Sequence, residues 1–410
     1  MTFLLIILLL LSSIFISTYI GFALYMFLKS NSGREVKKDP NYTPKVSLVI
    51  CAYNEEKMIV EKIENVLQID YPRDKLEIIV FDNGSEDRTF EVASSFKERG
   101  VRVLKLGGQN RGKSAGINEA LKYVTGEIVK ISDADVRYNK GILRKAMPYF
   151  ADPSVGAVCA SPVLSNPEQT AVTKIETSLH SFYHLFRGVE SAIDSIIIGG
   201  GGFAFRRKLI EKLDESIGND DIDLTVKVRK SGHRVLLLKD AYFYEYTPPT
   251  FRARWKQKIR RSTMIVQALI KHRGVMFKRK FGIYGGVIYP AEFFIHVLSP
   301  YILLTILGLS VCLLFLNFWV MISITMCVFV AGIVGGMLMS SFFNRKTQSA
   351  GPFSFVYMFL AFLEAQLVLL LGSLSLLWRK PYIWKSERGN EETIRWASAI
   401  KLDLNGAVVQ

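Results

Sequence analysis

The chain has 410 residues, of which 50% are hydrophobic and 22% charged, and it carries a formal charge of +15. Apolar and charged residues in those proportions must be segregated along the chain, which excludes a single soluble domain of even composition. The four cysteines (Cys51, Cys159, Cys312 and Cys327) include no C-x-x-C pair, so neither a zinc site nor a disulfide framework is indicated.

Residues 3–28 hold no charge and are expected to form a transmembrane anchor (domain 1–28). The run lacks the basic leader and small-residue cleavage site of a secretory signal, so a retained anchor is preferred. Lys29, Arg34, Lys37 and Lys38 follow it, and Pro40 and Pro44 lie in the linker beyond. A strand–helix alternation then begins at residue 45. Val46–Cys51 reads as a buried strand, with a helix running to about Gln68, and Leu76–Phe81 reads as a second strand. A helix over Arg88–Glu98 precedes a third strand, Arg102–Leu106. The loop Gly107–Gly112 leads to a helix over Ser114–Tyr123, and Glu127–Ser132 is the fourth strand. Short apolar strands alternating with ten-residue helices predict an α/β domain (45–250) with a mostly parallel sheet, whose ligands sit beyond the carboxyl ends of the strands. Between Arg252 and Lys280 there are eleven basic residues and no acidic one, which predicts a basic amphipathic interfacial segment (251–282). Residues 283–378 form an apolar region with about three spans, its two acids being Glu292 and Glu364, and 379–410 is a tail. The basic flanks place residues 45–250 in the cytoplasm at the cell membrane. Two spans over 283–343 and one over 353–378 put the C-terminus outside, whereas Arg379, Lys380, Lys385 and Arg388 favour inside; an extra crossing or an interfacial helix within 281–300, near Pro290 and Pro300, would restore parity, and the arrangements stay open. The positive charge lies beside a membrane segment and comes with no recognition motif, so membrane lipids rather than nucleic acid are the expected partner.

The polar loops all fall at strand ends. Asp133-Ala134-Asp135 follows the fourth strand; residues two apart in extended chain point the same way, so both carboxylates can serve Mg²⁺ or Mn²⁺ bridging a diphosphate. Gly107–Ser114 matches the P-loop pattern G-x-x-x-x-G-K-[ST], which keeps a P-loop NTPase as a distant alternative, although Lys113 can contact a diphosphate without that fold. Asp220, Asp221 and Asp223 fall within four residues beyond the glycine-rich stretch Gly199–Gly202. One or two of them are accounted for as helix caps, and one is available as a general base. Trp255–Arg261 adds cations that can offset charge on a leaving group.

Taken in order, these segments resemble the membrane-bound family 2 glycosyltransferases, the group that includes hyaluronan, chitin, cellulose and poly-N-acetylglucosamine synthases. The likeness covers residues 45–265. Ala52-Tyr53-Asn54-Glu55 matches the T/A-Y-N-E loop and Asp82-Asn83-Gly84-Ser85-Glu86-Asp87 the D-D/N-G-S-x-D element. Asn110–Asn118 matches N-x-G-K-x-x-x-L/I-N, which explains the P-loop likeness. The resemblance implies a GT-A-type fold. Ala52, Tyr53, Asn54, Glu55 and Asp82 would hold the nucleotide, with Lys113 on its diphosphate. Asp133 would lie near ribose and diphosphate, Asp135 would be the main metal ligand, and Asp221 the catalytic base. Gly201, Gly202 and Phe203 would position the acceptor, and Gln257 and Arg260 match Q-x-x-R. Arg261 stands where the synthases carry tryptophan, which weighs against processive synthesis; Trp255 is a nearby aromatic at a different spacing. Asn219-Asp220 replaces the commoner Thr-Glu. The expected reaction is inverting transfer from a UDP-sugar to a lipid-linked or glycolipid acceptor, with processive polysaccharide synthesis as the alternative.

Overall fold

In β1 (Val46–Ala52) every residue is buried, as expected of a central strand covered on both faces. Leu48 and Ile50 enter one hydrophobic core and Val49 and Cys51 the other, because successive side chains alternate across the sheet. The computed structural model describes residues 2–108, 112–167, 169–200, 202–316, 322, 326 and 354–377. Gly201, the segment 327–353 expected to contribute a span, and the tail 379–410 lie outside the described residues.

Seven further strands join β1: β2 (Leu76–Asp82), β3 (Val101–Lys105), β4 (Ile128–Asp133), β5 (Arg137–Tyr138), β6 (Val155–Leu164), β7 (Phe203–Arg206) and β8 (Arg234–Glu245). Their order is β3-β2-β1-β4-β7-β6-β8-β5. Register puts Ala52 beside Asp82 and Cys51 beside Asp133, so three strands end at one level and their polar loops meet there.

The expected mostly parallel sheet is corrected to a mixed one. β1–β2, β1–β4, β2–β3 and β6–β8 are parallel, while β4–β7, β6–β7 and β5–β8 are antiparallel. The reason is local. After β6 the chain enters a helix of 23 residues, Ala171–Ile193. The chain enters β7 with Phe203 beside Cys159, running back along β6.

The helices, in chain order, are α1 (Thr2–Lys29), α2 (Ile59–Leu67), α3 (Thr89–Ser94), α4 (Lys113–Ala120), α5 (Ile142–Ala146), α6 (Ala171–Ile193), α7 (Asp220–Lys230) and α8 (Phe251–Lys271). They are followed by α9 (Tyr284–Leu316), which contains π-helical turns at Tyr284–Ile288 and Phe294–Leu298, and α10 (Ser354–Ser375). α1 and α9 are long and apolar enough to cross a membrane; Leu360–Ser375 within α10 is a shorter apolar stretch. Three polar side chains tie these helices together: Ser299 donates to Gln366 Oε1 at 2.9 Å, Gln366 donates to the Tyr19 hydroxyl at 2.9 Å, and Tyr19 and Ser299 lie 3.0 Å apart. A third core, with Phe22, Ile193, Val266, Tyr284 and Leu369, packs α1, α6, α8, α9 and α10 against one another.

The basic segment is α8, and it is more than a solvated face. Arg254 is 2% exposed. Its Nε donates to Glu176 of α6 at 2.7 Å, and its two terminal nitrogens grip Glu364 of α10 at 2.7 and 2.8 Å. Lys258 reaches Glu176 at 2.9 Å and Glu364 at 3.5 Å. At Gly372 of α10 an added Cβ would fall 2.1 Å from Ser262 Oγ, so the two helices touch with no space for a side chain.

Candidate active site

The loops after β1 and β2 hold one another. Asn54 sits at φ 54°, a conformation asparagine tolerates better than most residues; its N–H donates to Ser85 Oγ at 2.9 Å and its Oδ1 accepts from Glu86 N at 2.9 Å. Glu55 N donates to Thr89 Oγ1 at 2.8 Å. Asp82 is fully buried and accepts from the Ser85 N–H at 3.1 Å and from its hydroxyl, with Lys105 Nζ at 4.0 Å. Asn83 donates to Gly112 O at 2.9 Å and so fixes the start of α4.

Beyond these loops lies a cavity of about 330 Å³. Its floor carries Asp133 and Asp135, and α7 contributes Asp220 and Asp221. Lys113, the first residue of α4, bridges the two sides, with Nζ 2.9 Å from both Asp133 and Asp220. Burial alone would lower the Lys113 ammonium, but Asp133, Asp220 and Asp221 outweigh it and hold it well above the ordinary lysine value. Asp221 moves in the opposite direction. Burial, then the adjacent Asp220, pushes its carboxyl up to about 7, against the pull of Lys113. A carboxyl poised near neutrality is suited to accept a proton in catalysis.

The three acids of α7 thus divide. Asn219 caps the helix, accepting from Ile222 N at 2.9 Å. Asp220 pairs with Lys113, and Asp221 lines the cavity. Asp223 is fully buried and accepts from Lys227 at 2.7 Å and Asp214 N at 2.7 Å, with His272 Nε2 at 2.9 Å, a structural set.

Glu55, Lys113, Asp133, Asp135, Asp221, Gln257 and Arg260 come together on the cavity wall, joined by Arg261 and Lys258. Ala52, Tyr53, Asn54 and Asp82 are not on that wall; they form the adjoining edge at the ends of β1 and β2. Gly202 accepts from Lys130 Nζ at 2.9 Å and belongs to the backbone beneath the site. Phe203 is buried below Asp220 and Asp221, and Gly199 is bare because a Cβ there would lie 2.1 Å from the Phe203 ring. Trp255 is absent from the wall and stacks on Phe251, with centroids 5.3 Å apart.

Residues not singled out from the sequence complete the wall: Glu176, His180, Tyr183, His184 and Arg187 of α6, Glu245 of β8, and Ala365, Val368 and Leu369 of α10. The α6 set recurs at three- and four-residue spacing, the signal of one helix face.

Asp133 and Asp135 offer hard oxygens suited to Mg²⁺ or Mn²⁺. Among the described residues no three His, Cys, Asp or Glu side chains group as a metal site. That donor set fits an ion that draws its remaining ligands from a diphosphate and water.

The glycosyltransferase-like family 2 model matches residues 44–263. The chain is similar to the beta-monoglucosyldiacylglycerol synthase of Synechocystis, 31% identical over 225 residues, covering 53% of this chain and 47% of that protein. It is also similar to the poly-beta-1,6-N-acetyl-D-glucosamine synthase of Staphylococcus aureus, 26% identical over 297 residues, covering 67% and 69%. The chain spans about half to two thirds of the length of the curated relatives it matches first. Among solved structures, the mannosyltransferase PcManGT of Pyrobaculum calidifontis, in complex with GDP-Man and Mn²⁺, superposes with a TM-score of 0.71 at 25% identity, over 92% of this chain and 99% of that one. Lys113 and Ser114, the end of the P-loop-like string, accordingly open α4 of a GT-A-like mixed α/β domain. With the family model covering more than half of the chain, the chain belongs to the glycosyltransferase-like family 2 and is an enzyme of that class.

Proposed function

We propose that this enzyme transfers one sugar, with inversion, from a UDP-sugar to a lipid-linked or glycolipid acceptor at the cytoplasmic face of the cell membrane. The carrying observation is that one cavity joins the carboxylates Asp133, Asp135 and Asp221 to the apolar residues Ala365, Val368 and Leu369 of α10.

In this reading the nucleotide lies against the Ala52–Glu55 and Asp82 edge, with its diphosphate over Asp133 and Asp135. Asp135, with Asp133, would hold Mg²⁺ or Mn²⁺, which when bound neutralises charge on the diphosphate. Lys113 ties Asp133 to α7 and sets the field in which Asp221 titrates. Asp221 takes the proton of the acceptor hydroxyl as its oxygen bonds to the anomeric carbon. The bond from that carbon to the diphosphate oxygen breaks with its electron pair, and UDP leaves. Gln257 and Arg260 face the same space and offset the developing negative charge.

Processive extension of a β-linked polysaccharide is the second reading, supported by the likeness to the Staphylococcus aureus synthase. The absence of Trp255 from the wall and the presence of Arg261 on it favour single transfer.

The test is nucleotide release by detergent-purified protein from a panel of UDP-sugars and GDP-mannose, with Mg²⁺, Mn²⁺ or EDTA, followed by product sizing. Metal-dependent UDP release with a product one sugar longer supports the proposal. Release from GDP-mannose alone refutes the donor, long product refutes single transfer, and full activity in EDTA refutes the role of the metal.

A further inference from the structure

We propose that His184 and Arg187 of α6 form an anion subsite at the acceptor end of the cavity, which takes the phosphate of a lipid whose hydrocarbon runs along α10. This deepens the acceptor reading above and rests on it.

The argument begins with charge. Most ionised groups around this part of the cavity are already matched. Glu176 is held by Arg254 at 2.7 Å and Lys258 at 2.9 Å. Glu245 has His180 at 3.8 Å and Arg261 at 3.9 Å. Farther along, Glu292 faces His296 at 3.1 Å. Glu190, deeply buried beside Glu292, has its carboxyl raised well above the ordinary range by burial and then by that neighbour, against the pull of Arg187.

Arg187 stands apart. Among the described residues no carboxylate lies within ion-pair distance of it, and its guanidinium sits 5.5 Å from the centre of the Tyr183 ring. One turn away, His184 Nε2 is buried without a hydrogen-bond partner. Burial, followed by Arg187, His180 and Lys239, pushes His184 down to about 4, so the free imidazole is neutral, and in its Nε2–H tautomer it can donate to an anion. Both residues line the cavity. Arg187 is half-buried and feels Glu190 without forming an ion pair with it, and beside it the His184 Nε2 is buried and unsatisfied, so an anion placed between them would complete both. Phosphate offers several acceptor oxygens, and the planar fork of arginine can bind two of them.

The source of that phosphate follows from the remaining wall. Leu179, Ala365, Val368 and Leu369 border the same space, and the latter three lie on the apolar helix α10. A free phosphate has no use for that surface, whereas a phospholipid or a lipid phosphate has an anionic head and a chain to cover it.

The test compares melting temperatures of the full-length protein in dodecyl maltoside micelles doped with dodecyl phosphate, dodecyl glucoside or inorganic phosphate. Wild-type protein is expected to respond to dodecyl phosphate at about one tenth of the concentration needed for the other two probes. Arg187→Gln abolishes that preference, and Arg187→Lys retains part of it. An equal response to dodecyl glucoside overturns the anion subsite. An equal response to inorganic phosphate overturns its assignment to a lipid, and a preference that survives in Arg187→Gln overturns the residue. Because nucleotide release without any lipid reads the donor side alone, failure of the enzymatic reading and failure of the subsite are told apart.

Discussion

If Asp221 is the base, the rate must follow its ionisation. Its carboxyl is raised from 3.8 to about 7, first by burial and then by Asp220. With a midpoint of about 7 the ionised fraction is roughly 9% at pH 6 and roughly 91% at pH 8, so kcat/KM is expected to rise about tenfold across that window. The sign of the stability effect is opposite. A carboxyl whose folded value lies above its unfolded one contributes stability below about 4, which is lost as pH rises through about 7. Asp221→Asn is therefore expected to melt higher than wild type at pH 8 while losing about 10²–10⁴ in turnover, with UDP binding nearly intact. Lys113 lowers the Asp221 carboxyl, so Lys113→Met moves the rate midpoint above 7. The assay is initial-rate UDP release from pH 5.5 to 8.5, with melting curves on the same samples. A flat profile, or an Asp221→Asn enzyme that keeps a tenth of its activity, would refute the reasoning.

Three further outcomes are expected. Asp135→Asn removes the response of UDP binding to Mn²⁺, read by titration with the metal, and leaves the melting temperature without metal close to wild type; unchanged Mn²⁺ dependence counts against that ligand. Glu364→Gln leaves buried Arg254 with Glu176 as its remaining acid partner and destabilises the fold by about 2–4 kcal/mol, seen as a lower melting temperature in detergent. Gly116→Ala places a methyl 3.0 Å from Asn83 Cγ; because Asn83 holds Gly112, the donor KM rises and stability falls by about 1 kcal/mol.

The meeting of the polar loops after β1, β2 and β4 was legible in the sequence because it is built from local signals. Apolar runs mark β1, β2 and β4, and parallel pairing carries their polar ends to one level whatever follows. The remainder depends on distant partners. The two-residue β5 and four-residue β7 are too short to show a period of their own, and the reversal at β7 follows from where α6 leads the chain. His180, His184 and Arg187 share a face by spacing, yet nothing in α6 says that α7, α8 and α10 stand opposite it. Trp255 was an acceptor candidate as the aromatic nearest the tryptophan position held by Arg261, but its neighbour one turn back is Phe251, and the two stacked rings are both off the cavity wall. Arg254 read as one more surface cation, since its partner Glu364 is 110 residues away.

That tie between Arg254 and Glu364 bears on how the molecule can be divided. A fragment of residues 44–271 would keep the whole family 2 match and every residue proposed for the chemistry, and would lack every long apolar helix. It would also lose Glu364 and the covering surface of α10, leaving Arg254 and Lys258 to share Glu176 beside an exposed apolar seam. The helix that bears Gln257 and Arg260 would then lack its backing. The apolar helix is part of the enzyme's framework, and the chain does not separate into a catalyst and a detachable anchor.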